Sequence, residues 1–202
     1  MNQARILVLF LAVLLCPFWG ARAEGSLPAG LQETQAEETA RRAQELLDLS
    51  KLQNSENHAL ALETARQSLA LWQTTDDRAG LARAYAQVAK CLLAQSDVAE
   101  AVENFQQALA LWRQLDERRE QAGALGMLGL AQTRGGEWAG ALTAFTEAQS
   151  LFVEEDEPVF MGLIASGLAH VFNETGLPER GLEQYQRALE FYGRGGTPRD
   201  VA

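Results

Sequence analysis

One register repeats along this chain without a gap, forty residues at a time. Ala101, Val102, Phe105, Ala108, Leu109 and Trp112 are matched forty residues earlier by Ala61, Leu62, Ala65, Ser68, Leu69 and Trp72. Forty residues later stand Ala141, Leu142, Phe145, Ala148, Gln149 and Phe152, and forty beyond those Gly181, Leu182, Tyr185, Ala188, Leu189 and Tyr192. Apolar residues spaced by three and four mark one face of a helix. A period of this length marks a stack of like units, each burying its open face on the next.

Between the blocks runs a second helical pattern. Tyr85, Val88, Ala89 and Leu92 are matched by Leu125, Leu128, Gly129 and Gln132, then by Ala165, Leu168, Ala169 and Phe172. Asp76, Asp116 and Asp156 recur just before it, where a short carboxylate can cap free backbone N–H groups and complement the helix dipole. Each unit is thus expected to be two antiparallel helices joined by a tight turn, such as Arg134-Gly135-Gly136-Glu137 or Thr175-Gly176-Leu177-Pro178. Ala89, Gly129 and Ala169 on the first helix, and Ala101, Ala141 and Gly181 opening the second, let the pair approach closely, with Phe105, Phe145 and Tyr185 beside them. The aromatic set Trp72, Trp112, Phe152 and Tyr192 reads as repeat packing and not as a cofactor box.

These elements resemble the tetratricopeptide repeat family: a small residue on the first helix, then Ala or Gly opening the second, an aromatic four on and a small residue seven on. The family's common unit is 34 residues; this one resembles the longer variants of roughly 40, and the proline often found at a unit's end is absent. The resemblance implies an all-α fold, a right-handed α-solenoid of about four helix-turn-helix units, over residues 37–193. The units fall roughly at 37–75, 76–115, 116–155 and 156–193. The first fits only if one residue of its turn is dropped, which makes it a degenerate capping repeat. Residues 194–202 are a tail or the start of a fifth unit, since Thr197-Pro198 aligns with Asp77-Arg78, Glu117-Arg118 and Glu157-Pro158.

The N-terminus reads differently. Arg5 precedes an unbroken run of eleven apolar residues, Ile6 to Cys16, and Ala21-Arg22-Ala23 ends the segment with an A-x-A pattern. That is the layout of a secretory signal peptide over residues 1–23, followed by a linker at 24–36. Eleven residues fall short of the ~20 that span a bilayer as a helix. Cleavage after Ala23 removes two of the 17 basic residues and none of the 27 acidic ones, leaving a net charge of −12. Such a balance works against nucleic acid or an anionic membrane surface. Export to a bacterial periplasm is the expected location, with no stable membrane insertion afterwards. Cys16 leaves with the signal, and Cys91, in an apolar run, is expected to behave as a small hydrophobe.

Catalytic signatures are sparse. His58 and His170 are the chain's two histidines, and with Cys91 they make no metal-ligand spacing. No nucleophile elbow, phosphate loop or dinucleotide fingerprint is present. The expectation is therefore no enzyme, no cofactor and no resident metal. The acidic run Glu154-Glu155-Asp156-Glu157 reads as a solvated linker with a helix cap, with calcium binding left open.

In tetratricopeptide arrays the first helices line a concave groove. Carried over, that groove would take Arg83 and Lys90 from the second unit, Gly123, Gly126, Leu130, Thr133 and Arg134 from the third, and Leu163, Ser166, His170, Asn173 and Glu174 from the fourth. Gly123 and Gly126 would make a bare floor against which a peptide backbone could lie, or would serve only close stacking between units. The Lys/Asn/Arg set of the carboxylate-clamp subtype is matched only by scattered basic residues. Three functional readings follow. The first is an exported scaffold that holds a protein or peptide partner. The second is the sensing arm of a larger protein, since exported arrays of this kind resemble the N-terminal regions of bacterial proteins that end in a caspase-like CHAT peptidase domain. The third is a solenoid that self-assembles into homo-oligomers.

Overall fold

The protein is described by a computed structural model over residues 29–151 and 157–195, with side chains from Gln35 onward. The signal peptide, Phe152, the acids Glu154 to Asp156 and the Thr197-Pro198 pair lie outside the described residues. The chain divides into two compact units, residues 1–34 and 35–202, and the repeats lie in the second.

Eight helices and no strand occur among the described residues. They are α1 (Ala29–Gln53), α2 (His58–Trp72), α3 (Arg78–Ala94), α4 (Val98–Leu115), α5 (Arg118–Arg134), α6 (Trp138–Leu151), α7 (Pro158–Glu174) and α8 (Pro178–Gly195). Taken in pairs they make four helical hairpins, an all-α helical-repeat solenoid. α1 begins at Ala29, so residues 29–36, expected as linker, already belong to a helix. Their Ala, Leu, Gln and Glu residues are good helix formers with no Gly or Pro after position 30 to stop them.

The turns inside the last three units share one backbone geometry. Three residues join α3 to α4, α5 to α6 and α7 to α8, and the middle one, Ser96, Gly136 or Gly176, has φ of 68, 75 or 78°. In each turn that residue's N–H bonds back three residues, and the next N–H bonds back five, as in Glu137 to the Gln132 carbonyl at 2.8 Å. This is the Schellman arrangement, which satisfies the last carbonyls of the incoming helix. The turn from α1 to α2 holds four residues, 54–57, and contains no left-handed residue. The extra residue is the one by which the first unit departs from the common register.

Helix entry corrects one expectation. Asp77, not Asp76, caps α3, its Oδ1 accepting from Gly80 N at 2.8 Å. Asp116 does not open α5 but ends α4, in the left-handed region at φ 55°. Asp tolerates that conformation better than most residues because its short polar side chain bonds locally. The corresponding position before α5 is Glu117, whose side chain makes no cap bond.

The core follows the small-residue pattern. Ala89, Ala101, Ala141 and Ala169 are fully buried, and so is the large Phe105 ring. Phe145 is wedged between α5 and α7. A Cβ built on Gly129 would stand 2.9 Å from its ring, and one on Gly167 2.4 Å away. Trp72 lies in the same way against Gly80, and Tyr192 against Gly162, each at 2.5 Å. Trp72, Phe145 and Tyr192 thus each face a glycine of a first helix. Unit one is stitched differently, by buried hydroxyls: Ser50 Oγ donates to the Ala61 carbonyl at 2.8 Å and Ser68 Oγ to the Ala43 carbonyl at 2.7 Å. On the outside, Arg66 pairs with Glu100 and Arg113 with Glu147, tying second helices of successive units. Such exposed pairs contribute roughly 0–1 kcal/mol each.

Candidate functional site

The first helices of the hairpins, α1, α3, α5 and α7, line two adjoining cavities. The one between α3 and α5 has a volume of about 290 Å³ and is bordered by Lys51, Arg83, Lys90, Glu120, Gly123, Met127 and Phe160. The one between α5 and α7, about 260 Å³, is bordered by Gly126, Met127, Leu130, Thr133, Phe160, Leu163, Ser166 and His170. Met127 and Phe160 belong to both walls, so the cavities are continuous neighbours.

Their chemistry differs. Around the first stand three cations and one carboxylate. Lys51 Nζ is 2.7 Å from Asp48, and Arg83 lies 4.0 Å from Asp77. Lys90 has no carboxylate within ion-pair distance among the described residues. Water reaches the Lys90 side chain, yet protein surrounds it on the inner face of the array, and this crowding, with Lys51 nearby, lowers its ammonium pKa. Asp48 is held below the usual carboxylate range by a hydrogen bond from Gln44 and then by Lys51. The second cavity is almost wholly apolar, walled by Leu130 and Leu163, both partly exposed, and by the Phe160 ring.

Of the residues expected in a groove, nine border these cavities: Arg83, Lys90 and Gly123 the first, and Gly126, Leu130, Thr133, Leu163, Ser166 and His170 the second. Several also have bonds of their own. Thr133 Oγ1 and Ser166 Oγ donate to helix carbonyls four residues back, and His170 stands edge-on to Trp138, 5.9 Å between centroids, and 3.9 Å from Glu174. The other three lie outside both cavities. Arg134 Nη1 donates to the Leu93 carbonyl at 3.0 Å, tying the end of α5 to that of α3. The Asn173 side chain covers Gly181 at the start of α8, and Glu174 sits at the end of α7 beside His170.

The two floor glycines are not alike. A Cβ on Gly123 would meet nothing within 4 Å, so that position is open. One on Gly126 would stand 2.9 Å from the Phe160 ring, so Gly126 is a seat for Phe160 and not bare floor. Lys51, Glu120, Met127 and Phe160 were missed by the sequence reasoning. Glu120 and Phe160 share one register, forty residues apart, and Met127 shares another with Gln87, so one more helical turn of the same face would have found them. Lys51 lies in the off-register first unit, where no such extrapolation applies.

The tetratricopeptide repeat model matches residues 52–114 and 81–152, together half of the 202-residue chain. Among solved structures, aspartyl phosphate phosphatase F from Bacillus subtilis superposes with a TM-score of 0.70 at 14% identity, over 78% of this chain and 42% of that one. This chain thus spans less than half of the phosphatase. The tetratricopeptide-like repeats of a putative kinesin light chain from Podosopora anserina give 0.65 at 16% identity, covering 77% of both chains. MamA gives 0.58 at 21%, over 79% of this chain and 77% of that one. A search of curated proteins found no match. The period, the hairpins, the glycine-seated aromatics and this family match lead to one conclusion: the chain belongs to the tetratricopeptide repeat family.

Proposed function

We propose that this protein is an exported scaffold that holds a peptide segment of a partner protein on the face built by α1, α3, α5 and α7. The family is one of protein–protein interaction scaffolds. The observation that carries the finer reading is the pair of adjoining cavities on the first helices of successive units, with Gly123 open between Arg83, Lys90 and Phe160. Among the described residues no helix is long and apolar enough to cross a membrane.

A photo-crosslinking residue placed at position 123 tests the face, with Glu103, exposed on α4, as the control position. Adducts formed at 123 and not at 103 support it; equal labelling at both refutes it. Export is tested separately by intact mass from fractionated host cells, where a periplasmic species beginning at Glu24 is the expected result.

One observation favours a second reading, the regulatory arm of a larger protein with a CHAT-type domain downstream. Tyr185 and Leu189 of α8 are 40 and 71% exposed, whereas their counterparts on α4, Phe105 and Leu109, are 0 and 5% exposed beneath the next unit. A further unit would cover α8 in the same way. A native mass well above that of residues 24–202 supports this reading, and a species ending at Ala202 removes it.

A further inference from the structure

The candidate face is not a uniform channel. Its first cavity sets Lys51, Arg83 and Lys90 against the carboxylate Glu120 on a largely apolar wall, in a chain whose formal net charge is −10, and its second is apolar. Lys90 is the ammonium that no carboxylate of the described chain answers, and crowding without an ion pair leaves it short of the stabilisation that an incoming anion would supply. Leu130, Leu163 and Phe160 expose apolar surface that a side chain, and not water, would fill.

The geometry also sets a spacing. The cavities flank α5 and share Met127 and Phe160, so the two lie about one helix diameter apart, on the order of 10 Å. An extended backbone in the polyproline II conformation rises ~3.1 Å per residue and returns a side chain to the same face every third residue, a step of about 9 Å. Resting on the peptide-groove reading above, we propose that this face recognises an extended segment carrying a carboxylate side chain and, about three residues away, a bulky apolar one. The carboxylate lies against Lys90 with Arg83 and Lys51 around it. The apolar side chain enters between Leu130, Phe160 and Leu163, and the backbone passes over Gly123.

The test is selection of a random twelve-residue peptide phage library on the full chain, followed by fluorescence anisotropy with the selected peptides made synthetically. The expected result is enrichment of Asp or Glu about three residues from Leu, Ile, Phe or Trp. Lys90→Glu should weaken those peptides at least tenfold, and Leu163→Ser should erase the apolar preference while leaving the acidic one. Both side chains are exposed, so the variants keep the fold, which circular dichroism checks. Peptides enriched without the acidic–apolar pair, or bound equally by Lys90→Glu, overturn this inference and leave a peptide groove of other specificity. No peptide enriched above the bare support overturns the groove reading itself.

Discussion

Gly123 and Gly167 occupy interior positions of neighbouring helices, α5 and α7, and propensity alone assigns them the same fate. Replacing a helix-interior glycine by alanine contributes about 1 kcal/mol through backbone entropy. Gly123→Ala should show that gain in full, because its new Cβ meets nothing within 4 Å. At Gly167 the Cβ would stand 2.4, 2.7 and 2.8 Å from three atoms of the Phe145 ring. The same ring also rests on Gly129, where a Cβ would stand 2.9 Å away, so it is held against the backbones of two helices. Overpacking of a closed core costs ~1–3 kcal/mol. The net effect of Gly167→Ala is therefore a loss of up to about 2 kcal/mol, and the two variants should differ by roughly 1–3 kcal/mol. Urea unfolding followed at 222 nm measures the difference directly. Gly167→Ala combined with Phe145→Leu should recover part of the loss, because the smaller side chain withdraws the clashing ring edge. A Gly167→Ala protein as stable as Gly123→Ala would refute the claim that Phe145 is seated on these glycines.

Three other outcomes are expected. Lys90→Gln removes a crowded ammonium held near Lys51, so its urea midpoint at pH 7 should rise above wild type while acidic peptides bind less well. In the wild type the same group gives a signed pH effect. Its folded pKa lies below the unfolded value, so stability should increase as pH rises through the interval just below 10.5, an increase that Lys90→Gln abolishes. Cys91 acts in the opposite direction: burial pushes its thiol up from 9.0, the neutral form favours the fold, and its stabilising contribution is lost as pH rises past that value. With the thiol fully buried, native-state alkylation should proceed only as fast as the array opens, and a rate like that of a free thiol would refute this. Ser68→Ala removes the 2.7 Å bond to the Ala43 carbonyl, which keeps its partner within α1, at a cost of about 0.5–1.5 kcal/mol. Hydrogen exchange should locate the loss in α1 and α2, with α5 to α8 unaffected.

The repeat was legible because its cause is periodic: each unit buries the same face, so the same residue types return at the same interval. Hairpin pairing, the turns at Gly136 and Gly176 and the close packing at Ala89 and Gly129 all follow from that periodicity. Helix ends were less legible. Asp76 and Asp77 are adjacent carboxylates, and only the φ, ψ path of the chain decides which one reaches the Gly80 N–H. The face was legible by register and not by chemistry. Gly123 and Gly126 look identical in sequence, yet one is open and the other lies beneath Phe160, a residue contributed by the next unit. Arg134 and Asn173 look like groove residues by spacing, but nearby carbonyl and glycine partners hold them for packing. Lys51 was hidden because α1 is out of step with the others.

That single-residue slip in the turn at 54–57 has a consequence for how such a chain can change over time. A residue added within a helix turns everything beyond it by about 100° relative to what came before. In the three-residue turns at 95–97, 135–137 and 175–177 the left-handed middle residue leaves no slack, so a length change there would misdirect every later hairpin. At 54–57 only α1 lies on the far side within the repeat array, held to α2 by one hydroxyl bond from each helix, Ser50 and Ser68. Insertions and deletions should therefore be tolerated at the first turn and selected against at the other three, so natural length variation in relatives of this chain is expected to gather at its first hairpin.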